Sequence, residues 1–209
     1  MSVTTQRQYP TVPPKPANIT WHATRVNPQE RQSCFGHKSA VVWLTGLSAS
    51  GKSTLATELE YALTKQGVAS CILDGDNLRH GLCSDLGFSP EDRRENIRRA
   101  GDVALLMSGA GLVVLATFIS PYRADRDLLR NKIPNFIEVH VKCPIEQCQQ
   151  RDPKGLYKKA LAGQIKEFTG ISAPYEEPLN PELTLDTHRE DVFVCVKKLG
   201  EHLSSVIYG

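Results

Sequence analysis

One run constrains this chain more than any other: Gly46-Leu47-Ser48-Ala49-Ser50-Gly51-Lys52-Ser53 fills every fixed position of G-x-x-x-x-G-K-[ST]. Glycine at both ends permits a tight loop whose backbone N–H groups converge on an anion. The N-terminus of a following helix adds partial positive charge. Lys52 can reach the outer phosphates of a nucleotide, and the Ser53 hydroxyl can hold Mg²⁺. Average residue usage gives roughly one chance match per hundred chains of this length. Context lowers that figure. Ala40 to Thr45 is a short apolar run of buried-strand type before the loop. After it, Leu55, Ala56, Leu59, Ala62 and Leu63 share one helical face. The motif predicts strand, phosphate loop, helix, and the binding of a nucleoside triphosphate.

The same alternation continues. Gly67 is a helix stop, and Val68 to Leu73 reads as a second strand. Ser89-Pro90-Glu91-Asp92 starts a helix with a capping hydroxyl, proline at the first helical position and an acid at the third; it runs to about Ser108. Leu112 to Ile119, Phe136 to Val141 and Glu182 to Leu185 read as further strands. Val192, Phe193, Val196, Leu199, Leu203 and Val206 mark a final amphipathic helix. Strands alternating with helices predict a three-layer α/β/α fold around a parallel central sheet, with ligands at the carboxyl ends of its strands. Residues 1–17 are polar and proline-rich and read as a mobile tail; residues 18–209 read as one domain. Trp21 is a candidate anchor for the segment that joins them.

Composition narrows the function. A net charge of +2 is small for a dedicated nucleic-acid binder. The apolar runs fall short of the ~18 residues that span a bilayer, and no secretory signal is visible. Six cysteines form no C-x-x-C pair and no zinc spacing, which favours thiols in a reducing cytoplasm. A switch GTPase needs N-K-x-D; the only candidate, Asn131-Lys132-Ile133-Pro134, has proline where aspartate is required. A small kinase acting on a small acceptor fits the size.

Acceptor candidates cluster beyond the second strand. Asp74, at its end, is placed to orient Mg²⁺-bound water or to take a hydroxyl proton. The Asp-Gly-Asp-Asn run at Asp74 is also good turn chemistry. Arg79 and Arg93 suit phosphate or sulfate oxygens, and Arg93 shares a helix face with Asn96. Arg98 and Arg99 read as a solvated ion-pair face. Phe88 and Phe168 sit in polar loops where they could stack on a base or simply pack. Ser120 follows the third strand, where it could face the reacting centre or cap a helix entered through Pro121. A basic stretch from Arg151 through Lys154 and Lys159 to Glu176 reads as a lid over about 151–177.

Six segments together resemble the adenylyl-sulfate (APS) kinase family of P-loop kinases: GLSASGKST from Gly46, LDGDNLRHGL from Leu73, DLGFSPEDRRENIRR from Asp85, FISPYRADRD from Phe118, RDPKGLYKKA from Arg151 and IKEFTGISAPYE from Ile165. The resemblance implies transfer of the γ-phosphoryl group of ATP to the 3′-hydroxyl of adenosine 5′-phosphosulfate, giving 3′-phosphoadenylyl sulfate (PAPS). It implies that Gly46 to Ser53, with Thr54 and Arg151, bind ATP, and that Ser53 holds Mg²⁺. Lys52 and Asp74 would be catalytic. Asp74, Asp76, Arg79, Phe88, Arg93, Asn96, Ile119, Ser120, Lys154, Gly155, Leu156 and Phe168 would bind the acceptor, with Phe88 and Phe168 on either side of its adenine. Ser120 matches a position assigned in the family as a phosphoserine intermediate, although direct in-line transfer is simpler. A cytoplasmic homodimer without nucleic-acid or membrane partners is also implied. Two departures stand out. Ala49 replaces a glycine common in the family, and Thr24 and Ser70 align with a regulatory cysteine pair of plant members, leaving Cys34 and Cys71 as possible neighbours. The alternatives are a P-loop kinase for another small acceptor and an ATP-sensing module without turnover.

Overall fold

The computed structural model describes residues 18–20, 22 and 24–209. The tail expected over residues 1–17 and the anchoring role of Trp21 lie outside the described residues. In chain order the elements are α1 (Pro28–Phe35), β1 (Ala40–Thr45), α2 (Lys52–Lys65), β2 (Ser70–Asp74), α3 (Gly75–Leu78), α4 (Pro90–Gly109) and β3 (Val113–Thr117). They continue with α5 (Arg123–Lys132), β4 (Phe136–Lys142), α6 (Ile145–Arg151), α7 (Leu156–Leu161), β5 (Leu183–Asp186) and α8 (Val192–Tyr208).

The strands form one sheet in the order β2-β3-β1-β4-β5, parallel throughout. Period-two alternation divides each central strand between two cores. Ala40, Val42 and Leu44 of β1, with Val113 and Leu115 of β3 and Ile137, Val139 and Val141 of β4, meet α2 and α8 on one face. Val41 and Trp43, with Val114, Ala116 and Phe136, meet α4 and α5 on the other. This is the expected three-layer arrangement. Trp43 is fully buried and stacks on Phe118 with centroids 4.8 Å apart.

The strand boundaries differ from the sequence reading for local reasons. The second strand begins at Ser70, not Val68, because Val68 belongs to the cap of α2. Gly67 N–H bonds Thr64 O and Val68 N–H bonds Leu63 O, closing a Schellman turn with Gly67 at φ 76°. The third strand leaves the ladder after Thr117 instead of reaching Ile119, and Ser120 takes φ 39°. The helix start at Ser89 is as expected: its hydroxyl accepts from Asp92 N–H at 3.1 Å, and Pro90 opens α4. The sequence reading passed over α1. Its signal is present in Asn27-Pro28-Gln29-Glu30, where Asn27 and Glu30 form a reciprocal capping box.

Candidate active site

The carboxyl ends of β1, β2 and β3 converge on the phosphate loop. Gly46 sits against β4: a Cβ there would lie 2.5 Å from Val141 O, so the loop can turn here only without a side chain. Ala49 takes φ 59°, the left-handed region, at the position where the family often carries glycine. That conformation costs an L-residue roughly 1–2 kcal/mol. Its methyl group packs into a cluster with Cys143, Cys148, Tyr157, Ala160 and Phe168, which offsets part of that cost.

Lys52 is buried at the start of α2, and its ammonium donates to Gly46 O at 3.0 Å and Leu47 O at 2.7 Å. Burial lowers its pKa to about 8; the nearby acids Asp74 and Asp76 act in the opposite direction. The Ser53 hydroxyl donates to Asp74 Oδ2 at 2.8 Å, and Thr117 Oγ1 donates to the same oxygen at 2.7 Å. Asp74 Oδ1 accepts from the Asp76 and Asn77 amides as the cap of α3. Partial burial raises the Asp74 pKa, but these four hydrogen bonds outweigh it and hold the carboxyl below the ordinary range. The turn chemistry expected at Asp74 is present, and it fixes the carboxylate beside Ser53.

The expected acceptor residues lie next to this junction. Lys154 forms an ion pair with Asp76, joining the 151–177 segment to the end of β2. Arg79 donates to Leu86 O and Gly87 O at 3.0 and 2.9 Å, and its guanidinium lies 4.3 Å from the centroid of the Phe88 ring. Arg93 donates from Nε to Phe88 O and from Nη2 to Glu167 O. It therefore bridges the loops carrying Phe88 and Phe168. The two aromatics differ in setting. Phe88 is exposed, whereas Phe168 is buried edge-on against Tyr157 at 5.0 Å. Asn96 is buried, and its Oδ1 has no hydrogen-bond partner among the described residues. Arg98 and Arg99 form the expected ion pairs, with Glu95, Asp102 and Asp85.

Ser120 is 2 % exposed, and its Oγ accepts from the Trp43 indole N–H at 3.1 Å. It does not cap a helix; Tyr122 occupies the N-cap of α5. A non-glycine residue at φ 39° stores roughly 1–3 kcal/mol, so its surroundings must hold it there. Ile119 O accepts from Thr45 Oγ1 at 2.7 Å.

The segment expected to act as a lid is docked on the phosphate loop. Tyr157 OH donates to Ser48 O at 3.1 Å, and Leu47 and Ala49 pack with Leu156, Ile165, Phe168 and Ile171. Gly170 permits this contact, since a Cβ there would lie 3.0 Å from the Leu47 side chain. Arg151 reaches Ala49 O and Thr187, whose hydroxyl in turn donates to Ser50 O at 2.7 Å. Sequence reasoning missed Thr117, Tyr157 and Thr187. Tyr157 was visible within RDPKGLYKKA; the other two are defined only by contacts across the fold. Cys34 is exposed and Cys71 half-buried, and both are free thiols. Among the described residues no helix is long and apolar enough to cross a membrane.

Sequence comparison with known proteins points to one family. Residues 38–186 match the family model for adenylylsulphate kinase. The adenylyl-sulfate kinase of Shewanella amazonensis is 56 % identical over 190 residues, covering 90 % of this chain and 96 % of that one. That of Staphylococcus haemolyticus is 56 % identical over 191 residues, with the same coverage. Among solved structures, the Mycobacterium tuberculosis APS kinase in complex with AMPPNP and APS is 45 % identical, with TM-score 0.77, covering 80 % of this chain and 98 % of that one. A hexameric APS kinase from Thiobacillus denitrificans is 31 % identical with TM-score 0.62, covering 81 % of this chain and 29 % of that one.

Proposed function

This chain belongs to the adenylylsulphate kinase family, and we infer that it transfers the γ-phosphoryl group of ATP to the 3′-hydroxyl of adenosine 5′-phosphosulfate, forming PAPS and ADP in sulfate assimilation. The observation that carries the site assignment is the junction at Asp74. One carboxylate is bonded to Ser53 of the phosphate loop, to Thr117 of β3, and to the turn carrying Asp76. The nucleotide and acceptor halves therefore meet at a single fixed group.

The loop amides of Gly46 to Ser53 and the Lys52 ammonium bind the ATP phosphates, and transferring charge is stabilised by groups already in place. Arg151 flanks the nucleotide beside Thr187. The Ser53 hydroxyl and ionised Asp74 are hard oxygen donors that would hold Mg²⁺ brought with ATP, and the ion would supply neutralisation of phosphate charge. A carboxylate held below its ordinary range is a weak base, so Asp74 orients Ser53 and the acceptor hydroxyl more than it abstracts a proton. A loose phosphoryl-transfer transition state needs little base catalysis.

On the acceptor side, Arg79, Arg93 and Asn96 receive the phosphosulfate, and Phe88 and Phe168 flank the adenine. Asp76 and Lys154 close on the ribose with Gly155 and Leu156 of the lid. Ile119 and Ser120 contact the acceptor through backbone. The buried, indole-bonded Ser120 hydroxyl supports direct transfer over a phosphoserine intermediate. The enzyme acts in the cytoplasm as a homodimer; light scattering distinguishes two copies from the six of the Thiobacillus relative.

The test is an acceptor panel. Purified protein with ATP and Mg²⁺ is given APS, gluconate, shikimate or a nucleoside, and products are separated by chromatography. PAPS from APS with no product from the others supports the reading. Turnover of another acceptor, or ATP binding without any product, overturns it.

A further inference from the structure

Ser120 stands in a left-handed conformation without being glycine, and the groups that hold it form a bridge to the end of the lid. Arg126 is the centre of that bridge. Its guanidinium is 1 % exposed, and Nε donates to Glu138 Oε1 at 2.6 Å. Nη1 donates to Ser120 O at 2.5 Å, and Nη2 to Glu176 O at 2.7 Å. Three edges of one planar fork thus bind β4, the turn after β3 and the end of the lid, a geometry that lysine cannot reproduce.

A second route runs in parallel. Thr45 Oγ1 donates its proton to Ile119 O, so the 3.1 Å contact with Tyr175 has the phenol as donor. The relay is Tyr175 O–H to Thr45 Oγ1 to Ile119 C=O. Burial pushes the Tyr175 pKa up to about 12, which keeps that proton in place through the working range. His140 lies beside the Tyr175 ring, and Arg126 approaches it at 6.0 Å. Glu176 adds two backbone ties: its N–H donates to Pro121 O and its carboxylate accepts from Arg123 N–H, each at 2.8 Å.

The lid residues in this bridge are continuous with Phe168. A tight turn joins them: the Ile171, Ser172 and Ala173 amides all bond Phe168 O, and Gly170 N–H bonds Ala173 O. One short segment thus connects the aromatic wall at Phe168 to the Ile119–Ser120 backbone.

We propose that Tyr175, Thr45 and Arg126 are positioning residues for the acceptor, transmitting the seating of the lid to the Ile119–Ser120 backbone. The proposal rests on the APS-kinase reading only for the identity of the acceptor. Thr45 directly precedes Gly46, but the side-chain hydrogen bonds of the three go to Ile119, Ser120, Glu138, Glu176 and one another and none goes to the phosphate loop, so their loss falls on APS more than on ATP.

The test uses Tyr175→Phe and Thr45→Val, which each remove one hydroxyl at nearly constant volume, their double variant, and Thr45→Ser, which restores the hydroxyl. Wild-type turnover of APS is measured first, and its absence counts against the function and not the bridge. With active wild type, the KM for APS rises fivefold or more in each single variant, and the KM for ATP stays within twofold. The double variant is no worse than the worse single, because both cut the same relay. Thr45→Ser recovers the wild-type KM for APS. Unchanged APS parameters, equal losses for ATP and APS, or additive losses in the double variant overturn the proposal. Should Thr45→Val not fold, Tyr175→Phe alone decides through the same split between the two substrates.

Discussion

The hydroxyl of Ser53 and the carboxylate of Asp74 meet at 2.8 Å, tying the last residue of the phosphate loop motif to the last residue of β2. Asp74→Asn keeps the shape of this contact but removes its charge. The account predicts that kcat falls by about 10²-fold or more, in the range lost with one preorganised electrostatic group. ATP affinity measured without divalent ion changes little. Steady-state kinetics with nucleotide titration checks both, and a kcat within tenfold of wild type counts against the role assigned to Asp74.

Lys52 gives a pH signature. Its pKa in the folded protein, about 8, lies below its ordinary value of 10.5 because the ammonium is buried. The unfolded chain therefore holds more protons between those values, and this group's effect is that stability rises with pH across that window. Nucleotide phosphates favour the charged ammonium, so binding at pH 8.5 takes up a proton. Calorimetry in buffers of different ionisation enthalpy reads that uptake directly, and Lys52→Met abolishes it. Lys52→Met removes turnover. Binding without proton uptake in wild type contradicts this account.

Ser120→Ala separates a structural hydroxyl from a reacting one. It leaves the buried Trp43 N–H without its acceptor, a loss of about 1–3 kcal/mol. Thermal unfolding should show that loss while turnover stays within about tenfold of wild type. Phosphoryl transfer from ATP made chiral at the γ-phosphorus should proceed with inversion, as one direct displacement requires. Retention of configuration, or a dead Ser120→Ala enzyme that is still folded, means two displacements through the serine.

Gly101 tests the packing of α4 on α5. A Cβ at this position would lie 2.2 Å from Leu129 Cδ2, inside a buried cluster. Alanine is the better helix former by about 1 kcal/mol, but overpacking costs typically 1–3 kcal/mol. Gly101→Ala should therefore lower stability, read as a drop in denaturant midpoint with an unchanged m-value. A rise in the midpoint would mean that Leu129 moves aside freely.

Much of this was legible along the chain because its signals are local. The phosphate loop, the Ser89 cap and the alternating strands each depend on residues within a few positions of one another, and six ordered segments carried the family. Boundaries moved where a neighbouring element claimed a residue, as the cap of α2 claimed Val68. What stayed hidden depends on distant partners. Arg126 lies 12 positions from Glu138 and 50 from Glu176, so nothing near it in sequence marks it as the tie between β4, the turn after β3 and the end of the 151–177 segment. Phe168 reads along the chain as a loop aromatic that could stack or pack, and only the fold brings Tyr157 against it. The left-handed conformation at Ser120 is likewise imposed by groups from β1 and α5.

The most direct test of the whole account is the fate of the γ-phosphoryl group. Wild type and Lys52→Ala are incubated with γ-labelled ATP, Mg²⁺ and APS, and the product is identified by chromatography and mass. The account predicts label at the 3′-position of PAPS, formed in step with ADP, and none with Lys52→Ala. Label released as free phosphate, or no APS-dependent ADP formation by the wild type, would contradict it.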